Sequence, residues 1–585
     1  MAEAEALLAD GQIEAGLVRG LFFGRYDQVS VVDYPGRETD PAVRDTADRL
    51  KTFCAEKIDP RRIDLEARIP DPVIKGLGEL GVLGACLPLY AGGQGLSQTS
   101  YCRLIEILGA HCGSSALFVN AHHSIGPRAI VLFGTEDQQK HWLPKMATGE
   151  WISAFALTEP EAGSDAGNVQ TTAIPTDDGR GYLLNGEKRW ITNGGIAQAL
   201  TVMARTPVAG QRDTKITAFL VTPDMPGFEV LEARMEKCGV RGTATSRLAF
   251  HDMFVPRENV LGELGKGLKV ALTVLDYGRT TFGASCTGAA KTCLRLAAGH
   301  ASSRVQFGQT LGSFELVKQK LADMAADTFA MEAATYQTAA LIDSGTDDYM
   351  LETAILKVFS TERLWRIVND TFQIYGGKAY FTDEPLERMM RDARINTIGE
   401  GANDVLRVFI ALVGMRDVGL ELKGVADALL SPVGNFGRLG GFAARHIGSL
   451  FSSPTVPVRH AELEGDAATL SRLIGRFGRN VERLLAKYRE DVVDRQYQLG
   501  RVADAAIELY VSACVLNRLN RQPDGDNHAP IDQSRELRTG RCYLVSAARR
   551  IRAQLDALWD NDDQATTETA DDLLERLEDT PETEA

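Results

Sequence analysis

Beyond Gly267 the chain carries three long runs that are nearly free of helix breakers, at residues 268–302, 314–344 and 347–375. Their apolar residues recur at three- and four-residue steps, and runs of that length can bury such stripes only by lying side by side, which predicts an antiparallel bundle. Upstream the texture differs. Residues 151–157, 182–184, 200–204, 216–221 and 247–250 are short runs rich in β-branched and aromatic residues, and Asn185-Gly186 reads as a hairpin turn between Leu184 and Trp190. Before them, residues 45–58, 73–83, 99–109, 114–133 and 136–147 are helical in pattern, with a glycine loop at 90–95. The predicted class is therefore mostly α with a small central β-domain.

Further signals complete the layout. After Val418 comes a Gly-rich piece (Gly434, Gly437, Gly440, Gly441), then amphipathic stretches. One puts Leu470, Leu473, Ile474, Phe477, Val481, Leu484, Leu485 and Tyr488 on one face; a second does so with Val502, Ala506, Leu509, Ala513 and Leu516; residues 543–558 offer a third. The expected boundaries are an N-terminal extension over 1–40, a helical domain over 41–153, a β-domain over 154–266, a helical bundle over 267–415, an additional helical domain over 416–560, and an acidic, disordered tail over 561–585.

Composition excludes several classes. The net charge of −15 provides no broad basic face, so no nucleic-acid partner is expected. Nine scattered cysteines with no C-x-x-C pair fit reduced thiols rather than a disulfide framework or a zinc site, and no metal-ligand cluster is present. His122 and His123 are adjacent and so diverge on a helix, which favours structural roles. The acidic start, Met-Ala-Glu-Ala-Glu, matches neither a signal nor a transit peptide, and no apolar run is long enough to span a bilayer. The expected location is a bacterial cytoplasm or the inner-membrane face. Gly76-Leu-Gly-Glu-Leu-Gly81 fits G-x-G-x-x-G, but Asp71-Pro-Val-Ile-Lys before it reads as a helix start, not a strand, which argues against a dinucleotide site.

The chemical signal centres on Arg391-Asp-Ala-Arg-Ile-Asn-Thr-Ile-Gly-Glu-Gly-Ala-Asn-Asp-Val-Leu-Arg407, where Glu400 stands between two glycines that allow another molecule to come close. Alone, such a glutamate reads first as a solvated turn residue. Four other segments accompany it: Ala154-Phe-Ala-Leu-Thr-Glu-Pro-Glu-Ala-Gly-Ser-Asp-Ala-Gly167, Leu184-Asn-Gly-Glu-Lys-Arg-Trp-Ile-Thr-Asn193, Ser303-Arg-Val-Gln-Phe-Gly308 and Gln373-Ile-Tyr-Gly-Gly377. Singly these read as a turn, a core aromatic, ion-paired arginines and a helix stop. In this order and spacing, over residues 41–415, they resemble the acyl-CoA dehydrogenase family of flavoproteins. Asn403-Asp-Val-Leu-Arg-Val-Phe-Ile-Ala-Leu412 and Asp494-Arg-Gln-Tyr-Gln-Leu-Gly-Arg-Val-Ala-Asp504 resemble its very-long-chain subgroup, which carries a C-terminal helical extension.

The resemblance implies a fold of N-terminal helical domain, β-barrel-like middle domain, C-terminal four-helix bundle and extra helical module. It implies FAD as cofactor, an acyl-CoA substrate of long chain, a homodimer, and electrons passed to electron-transfer flavoprotein. By the same resemblance Glu400 is the base that removes the α-proton. Phe155, Leu157, Thr158, Gly163 and Ser164 form the flavin loop, Ser164 also facing the CoA. Trp190, Ile191 and Thr192 lie beside the flavin ring. Arg304, Phe307, Gln373, Ile374, Tyr375, Gly376 and Gly377 hold the diphosphate and adenosine, partly across the dimer. Ala402, Asn403 and Asp404 complete the cofactor set, and Asp276, Arg279, Gly399 and Gly401 lie by the substrate. Some members place the base just before the arginine matching Arg279; here that position is Gly278.

Two positions depart from the subgroup. Gly399 stands where Phe or Tyr is usual, which opens the site to bulkier or α-branched acyl groups. Ala402 replaces a threonine, with loss of one hydrogen bond worth roughly 0.5–1.5 kcal/mol. Chain length is open: Ser114, Ser115 and Ala116 leave room at the pocket floor, whereas Phe118 and Asn120 shorten it. Residues 432–453 match a membrane-surface region of the mitochondrial enzyme and are a candidate peripheral contact. The alternative activities are an acyl-CoA oxidase using oxygen and a non-catalytic assembly or scaffold role.

Overall fold

A computed structural model describes residues 16–430, 453–521 and 530–578. The candidate membrane segment at 432–453 lies almost wholly outside the described residues. Two compact units emerge. The first comprises Gln28–Leu406 with Ala513–Tyr543; the second comprises Val18–Asp27, Arg407–Ser512 and the chain from Leu544 onward. Among the described residues, no helix is long and apolar enough to cross a membrane.

The first unit opens with helices α1 (Pro41–Lys57), α2 (Asp71–Glu79), α3 (Gln98–His111), α4 (Gly113–His123), α5 (Pro127–Phe133) and α6 (Glu136–Thr148). The sequence predicts one helix over 114–133. The structure breaks it at Gly126, where a Cβ would collide with Ser153, and restarts it at Pro127, whose fixed φ suits a first helical position. Gly76 and Gly78 lie on α2 and serve packing, a Cβ at Gly78 colliding with the Thr148 carbonyl, while Gly81 follows the helix with a left-handed φ of 74°. His122 and His123 are structural. His122 Nδ1 accepts the Ser153 N–H at 3.0 Å, and His123 Nε2 accepts the Cys86 N–H at 3.1 Å. Burial pushes the His122 pKa down to about 4, so the ring stays neutral and remains an acceptor.

Strands β1 (Ser153–Ala156), β2 (Thr172–Pro175), β3 (Gly181–Ile191), β4 (Ala199–Thr206), β5 (Lys215–Val221), β6 (Phe228–Glu232), β7 (Ser246–Pro256) and β8 (Val260–Leu261) form one mixed sheet. Its order is β6-β7-β3-β2-β4-β5-β8, with β1 parallel to β4. On β4, Leu200, Val202 and Ala204 enter one core while Ala199 and Met203 enter another with Ile130, Trp142 and Val274. The two-residue period of a strand thus presents apolar residues to both faces. Leu248 and Phe250 of β7 share a core with Phe219 and Val221 of β5, although three strands separate β7 from β5 in the order, so the sheet curls on itself. Asn185-Gly186 is not a hairpin turn. It lies inside β3, where the register with β7 shifts between Leu184 and Gly186, and Gly186 takes a φ of 149° against Thr171. The turn falls earlier, between β2 and β3, with Gly179 at a φ of 69°.

The bundle follows as α7 (Gly267–Ser303), α8 (Glu315–Asp343), α9 (Met350–Tyr375) and α10 (Leu386–Arg394); α11 (Asn403–Leu430) starts in this unit and from Arg407 onward belongs to the second. The three long predicted helices appear at the expected places. Ala513–Tyr543, within the stretch expected as the additional domain, packs with this unit. Asn517 Nδ2 donates to Gln337 Oε1 at 2.7 Å, and Arg518 pairs with Glu332 at 2.6 Å while lying over the Phe329 ring.

The second unit holds α12 (Glu464–Tyr488), most of α13 (Gln496–Leu519), the end of α14 (Pro530–Ala557), and α15 (Asp563–Glu578). The predicted face of α12 is largely buried, and Phe477 meets Phe22 edge-on with centroids 5.1 Å apart. The acidic tail expected to be disordered from 561 is helical over Asp563–Glu578. Its first turn is held by Arg501 and Gln498 on Asp563, each at 2.8 Å at one oxygen, and pairs such as Asp572–Arg576 support its exposed face. Residues 579–585 lie outside the described residues.

Candidate active site

Glu400 sits on the turn between α10 and α11 with a left-handed φ of 55°, followed by Gly401 at 99°. A non-glycine residue there costs about 1 kcal/mol or more, and the surroundings must hold it. They do so from three helices. Asn120 on α4 donates to Glu400 Oε1 at 3.1 Å. Asn120 is itself fixed by the Thr281 hydroxyl of α7, which in turn contacts Ser124 at 3.1 Å. From α9, Lys357 Nζ donates to the Gly401 carbonyl at 2.6 Å and to Asn403 Oδ1 at 2.8 Å.

Gly278 on α7 faces the carboxylate so closely that a Cβ there would lie 2.5 Å from Oε2. Only glycine leaves Glu400 this position. Oε2 is buried and accepts no hydrogen bond. Burial pushes the carboxyl up to about 7, against the opposing pull of Lys357 and then Arg279. The result is an acid-base group that exchanges its proton near neutrality, beside a free oxygen. Asp276 and Arg279, one turn apart on α7, are both buried, with Arg279 Nη1 2.9 Å from Asp276 Oδ1. Thr353 donates to the same oxygen at 2.7 Å. Burial raises Asp276 to about 6.

The end of β3 approaches the same helices: Asn193 Nδ2 donates to the Phe118 carbonyl of α4 at 3.1 Å. Trp190, just before, holds a φ of 59° with its indole 55% exposed. Ile191 is buried and Thr192 half-buried. The Phe155–Ser164 loop is tied to this strand. Arg189 N–H donates to the Thr158 carbonyl at 2.9 Å, and the fully buried Lys188 reaches the Leu157 carbonyl at 3.0 Å and Glu159 at 2.6 Å. Glu159 also accepts the Thr171 N–H at 3.0 Å. Phe155 points inward, Leu157 and Thr158 are half-buried, and Gly163 and Ser164 are exposed. Beyond the other end of α7, Arg304 and Phe307 are exposed, Phe307 94% so at a φ of 52°. There Tyr375 stacks on His300 at 4.2 Å; Ile374 is buried, and Gln373, Gly376 and Gly377 are exposed, with open space around both glycines.

The Asn403 side chain turns inward: besides accepting from Lys357, it donates to Thr361 at 3.0 Å and Glu362 at 3.2 Å. Ala402 is half-buried and Asp404 exposed. Phe118 packs into the N-terminal core rather than the cavity next to Asn120. That cavity, of 260 Å³, is bounded by Ala116, Leu117, Asn120, Phe282, Cys286, Ala289, Leu296, Val368, Met389 and Asp392 among others. Sequence reading missed Lys357 and the Lys188–Glu159 pair. The signal for Lys357 was a lone cation in the apolar run Ile355-Leu356-Lys357-Val358-Phe359.

A chain with a buried near-neutral carboxylate, an exposed strand-end tryptophan and a cavity beside Asn120 has clear relatives. The acyl-CoA dehydrogenase N-terminal, middle and C-terminal domain families match residues 40–150, 154–253 and 265–414. The ACAD9/ACADV C-terminal domain matches residues 461–577. This chain belongs to the acyl-CoA dehydrogenase family. It is 37% identical over 551 residues to the mitochondrial very long-chain specific acyl-CoA dehydrogenase of Bos taurus, covering 92% of this chain and 83% of that one. The structure is similar to an acyl-CoA dehydrogenase complexed with FAD from Bacillus anthracis, with a TM-score of 0.80 and 27% identity over 96% of this chain and 94% of that one. It is also similar to a chain in a structure titled for the electron transferring flavoprotein of Acidaminococcus fermentans, with a TM-score of 0.61 and 34% identity over 65% of this chain and 99% of that one.

Proposed function

We propose that this protein is an FAD-dependent acyl-CoA dehydrogenase that converts a long-chain acyl-CoA to its trans-2-enoyl thioester, with Glu400 as the base. The observation that carries the reading is Glu400 itself. It is a carboxylate with one buried, unbonded oxygen, a proton equilibrium at about 7, and clearance provided by Gly278. A base with its pKa near the working pH combines a useful ionised fraction with a strong pull on the proton.

The residues present suit FAD. The indole of Trp190 offers an exposed flat face, and Gly163, Gly376 and Gly377 leave open space where a Cβ would otherwise stand. Arg304 supplies a cation for a diphosphate. When bound, FAD supplies the acceptor for the β-hydride. Glu400 takes the α-proton, and the role proposed for its backbone N–H is to donate to the thioester carbonyl, lowering the cost of the developing enolate. Arg279 and Lys357 stabilise the ionised base before reaction. The cavity next to Asn120, with Leu117, Phe282, Leu296 and Val368 among its walls, receives the distal acyl chain in this reading, which supports a long-chain substrate. Electrons leaving to an electron-transfer flavoprotein, and a homodimer formed around the exposed Phe307, Tyr380 and Phe381, complete the reading.

Anaerobic titration of the purified yellow protein with acyl-CoAs from butyryl to eicosanoyl, including 2-methyl-branched ones, tests it. Long-chain substrates are expected to bleach the flavin, with reoxidation by electron-transfer flavoprotein. Glu400→Gln is expected to keep FAD and lose bleaching. Wild-type bleaching by that variant would remove Glu400 from the role of base.

A further inference from the structure

Lys357 is the one component around Glu400 that neither binding nor proton removal requires by contact. Its side chain is fully buried in the middle of α9. Among the described residues, no carboxylate lies within ion-pair distance of it; its two hydrogen bonds go to the Gly401 carbonyl and Asn403 Oδ1. A buried ammonium bonded to neutral oxygens is costly, and an apolar residue of the same length would pack there without that cost. What the ammonium supplies is therefore local to the turn it reaches.

We propose that Lys357 is a positioning residue for Glu400: its ammonium anchors the left-handed turn through the Gly401 carbonyl and holds the carboxylate ionised by charge alone. The inference rests on Glu400 being the base. The geometry supports both halves. The anchored carbonyl belongs to the residue directly after Glu400, and the two residues take φ values of 55° and 99°, a conformation that needs external fixing. Asn403, the second acceptor, is braced by Thr361 and Glu362, so the anchor is rigid.

The charged and titratable groups acting on Lys357 are Glu400 from the turn, Arg279 and Cys286 from α7, and Glu362 from its own helix. After burial, Glu400 is the largest influence on Lys357, and Lys357 is the largest on Glu400, ahead of Arg279. Burial brings Lys357 down to about 8 and Glu400 up to about 7, so between these values both are charged and each stabilises the other's charge. The Lys357 ammonium therefore holds the Glu400 carboxyl below where burial alone would put it.

The test is the pH profile of kcat/KM in the holoenzyme for wild type, Lys357→Met and Lys357→Gln, with Glu400→Gln as reference. Lys357→Gln keeps a donor for the Gly401 carbonyl and so preserves folding if the methionine variant does not. The acid limb is expected to move about one unit to higher pH in both variants, a loss of roughly fivefold at neutral pH that largely recovers two units higher. Infrared difference spectra of the Glu400 carboxylic acid, identified by its absence in Glu400→Gln, are expected to shift by the same amount without turnover. A loss equal at all pH values, or an acid limb superimposed on wild type, overturns the proposal while Glu400→Gln stays inactive. An active Glu400→Gln instead overturns the base assignment on which it rests.

Discussion

Gly278→Ala is the sharpest probe of the site because two of its effects oppose each other. In mid-helix the substitution should stabilise by about 0.5–1 kcal/mol, since alanine is the better helix former. At this position, however, the new methyl would lie 2.5 Å from Glu400 Oε2, 3.1 Å from Cδ and 3.3 Å from Oε1. Ordinary contact begins near 3.4 Å, so the carboxylate must retreat by about 0.9 Å. The retreat is hard to absorb, because Oε1 is tied to Asn120 and the backbone beneath is held through Gly401. Misplacing a reacting group by about 1 Å costs on the order of a hundredfold. The expected result is a loss of that order in kcat/KM with FAD content unchanged and melting temperature equal or higher. Stopped-flow reduction by a long-chain acyl-CoA gives the rate, and scanning calorimetry gives the stability. Wild-type reduction kinetics in Gly278→Ala would refute the placement of Glu400 against α7, and a lowered melting temperature would assign the loss to folding instead.

Two further outcomes follow from the same geometry. Burial raises Glu400 from 4.5 to about 7, so its ionisation works against the fold: the favourable state is present below the unfolded pKa and lost as pH rises through the folded one. Glu400→Gln should therefore melt higher than wild type above neutral pH, by up to about 3 kcal/mol, and converge with it near pH 4; equal melting temperatures throughout would contradict the raised pKa. A Cβ at Gly399 would meet only the Ile395 carbonyl, at 3.7 Å, so Gly399→Phe should fold normally and reduce turnover of 2-methyl-branched acyl-CoAs more than that of straight-chain ones. An unchanged ratio between the two substrate classes would show that the wall at this position does not select them.

The helices and most strands were legible because each carries its own period. The failures share a different cause. Asn185-Gly186 has the local chemistry of a hairpin turn, yet β7 pairs along both sides of it, with Gly186 opposite Phe250 and the register shift falling at Asn185. The acidic tail has the composition of a disordered segment, and a single anchored aspartate, Asp563, starts a helix there. In each case a contact distant in sequence overrides a local preference.

The site shows the same division. Glu400, Gly278, Trp190 and Arg279 could be named from motifs because a residue that touches a ligand tends to sit in a recognisable string. Lys357 could not, because its work is done on another residue's backbone and charge. A lysine in an apolar helix is an anomaly whose meaning depends on what its ammonium reaches, and the turn it reaches lies more than forty positions later. The anomaly itself was visible: a helix that buries Ile355, Leu356, Val358 and Phe359 has no packing reason to place a cation between them. Buried charge without a neighbouring counter-charge in sequence is thus a sign of long-range function in its own right. Here it leads back to Glu400, the carboxylate proposed as the base, on whose proton affinity Lys357 acts.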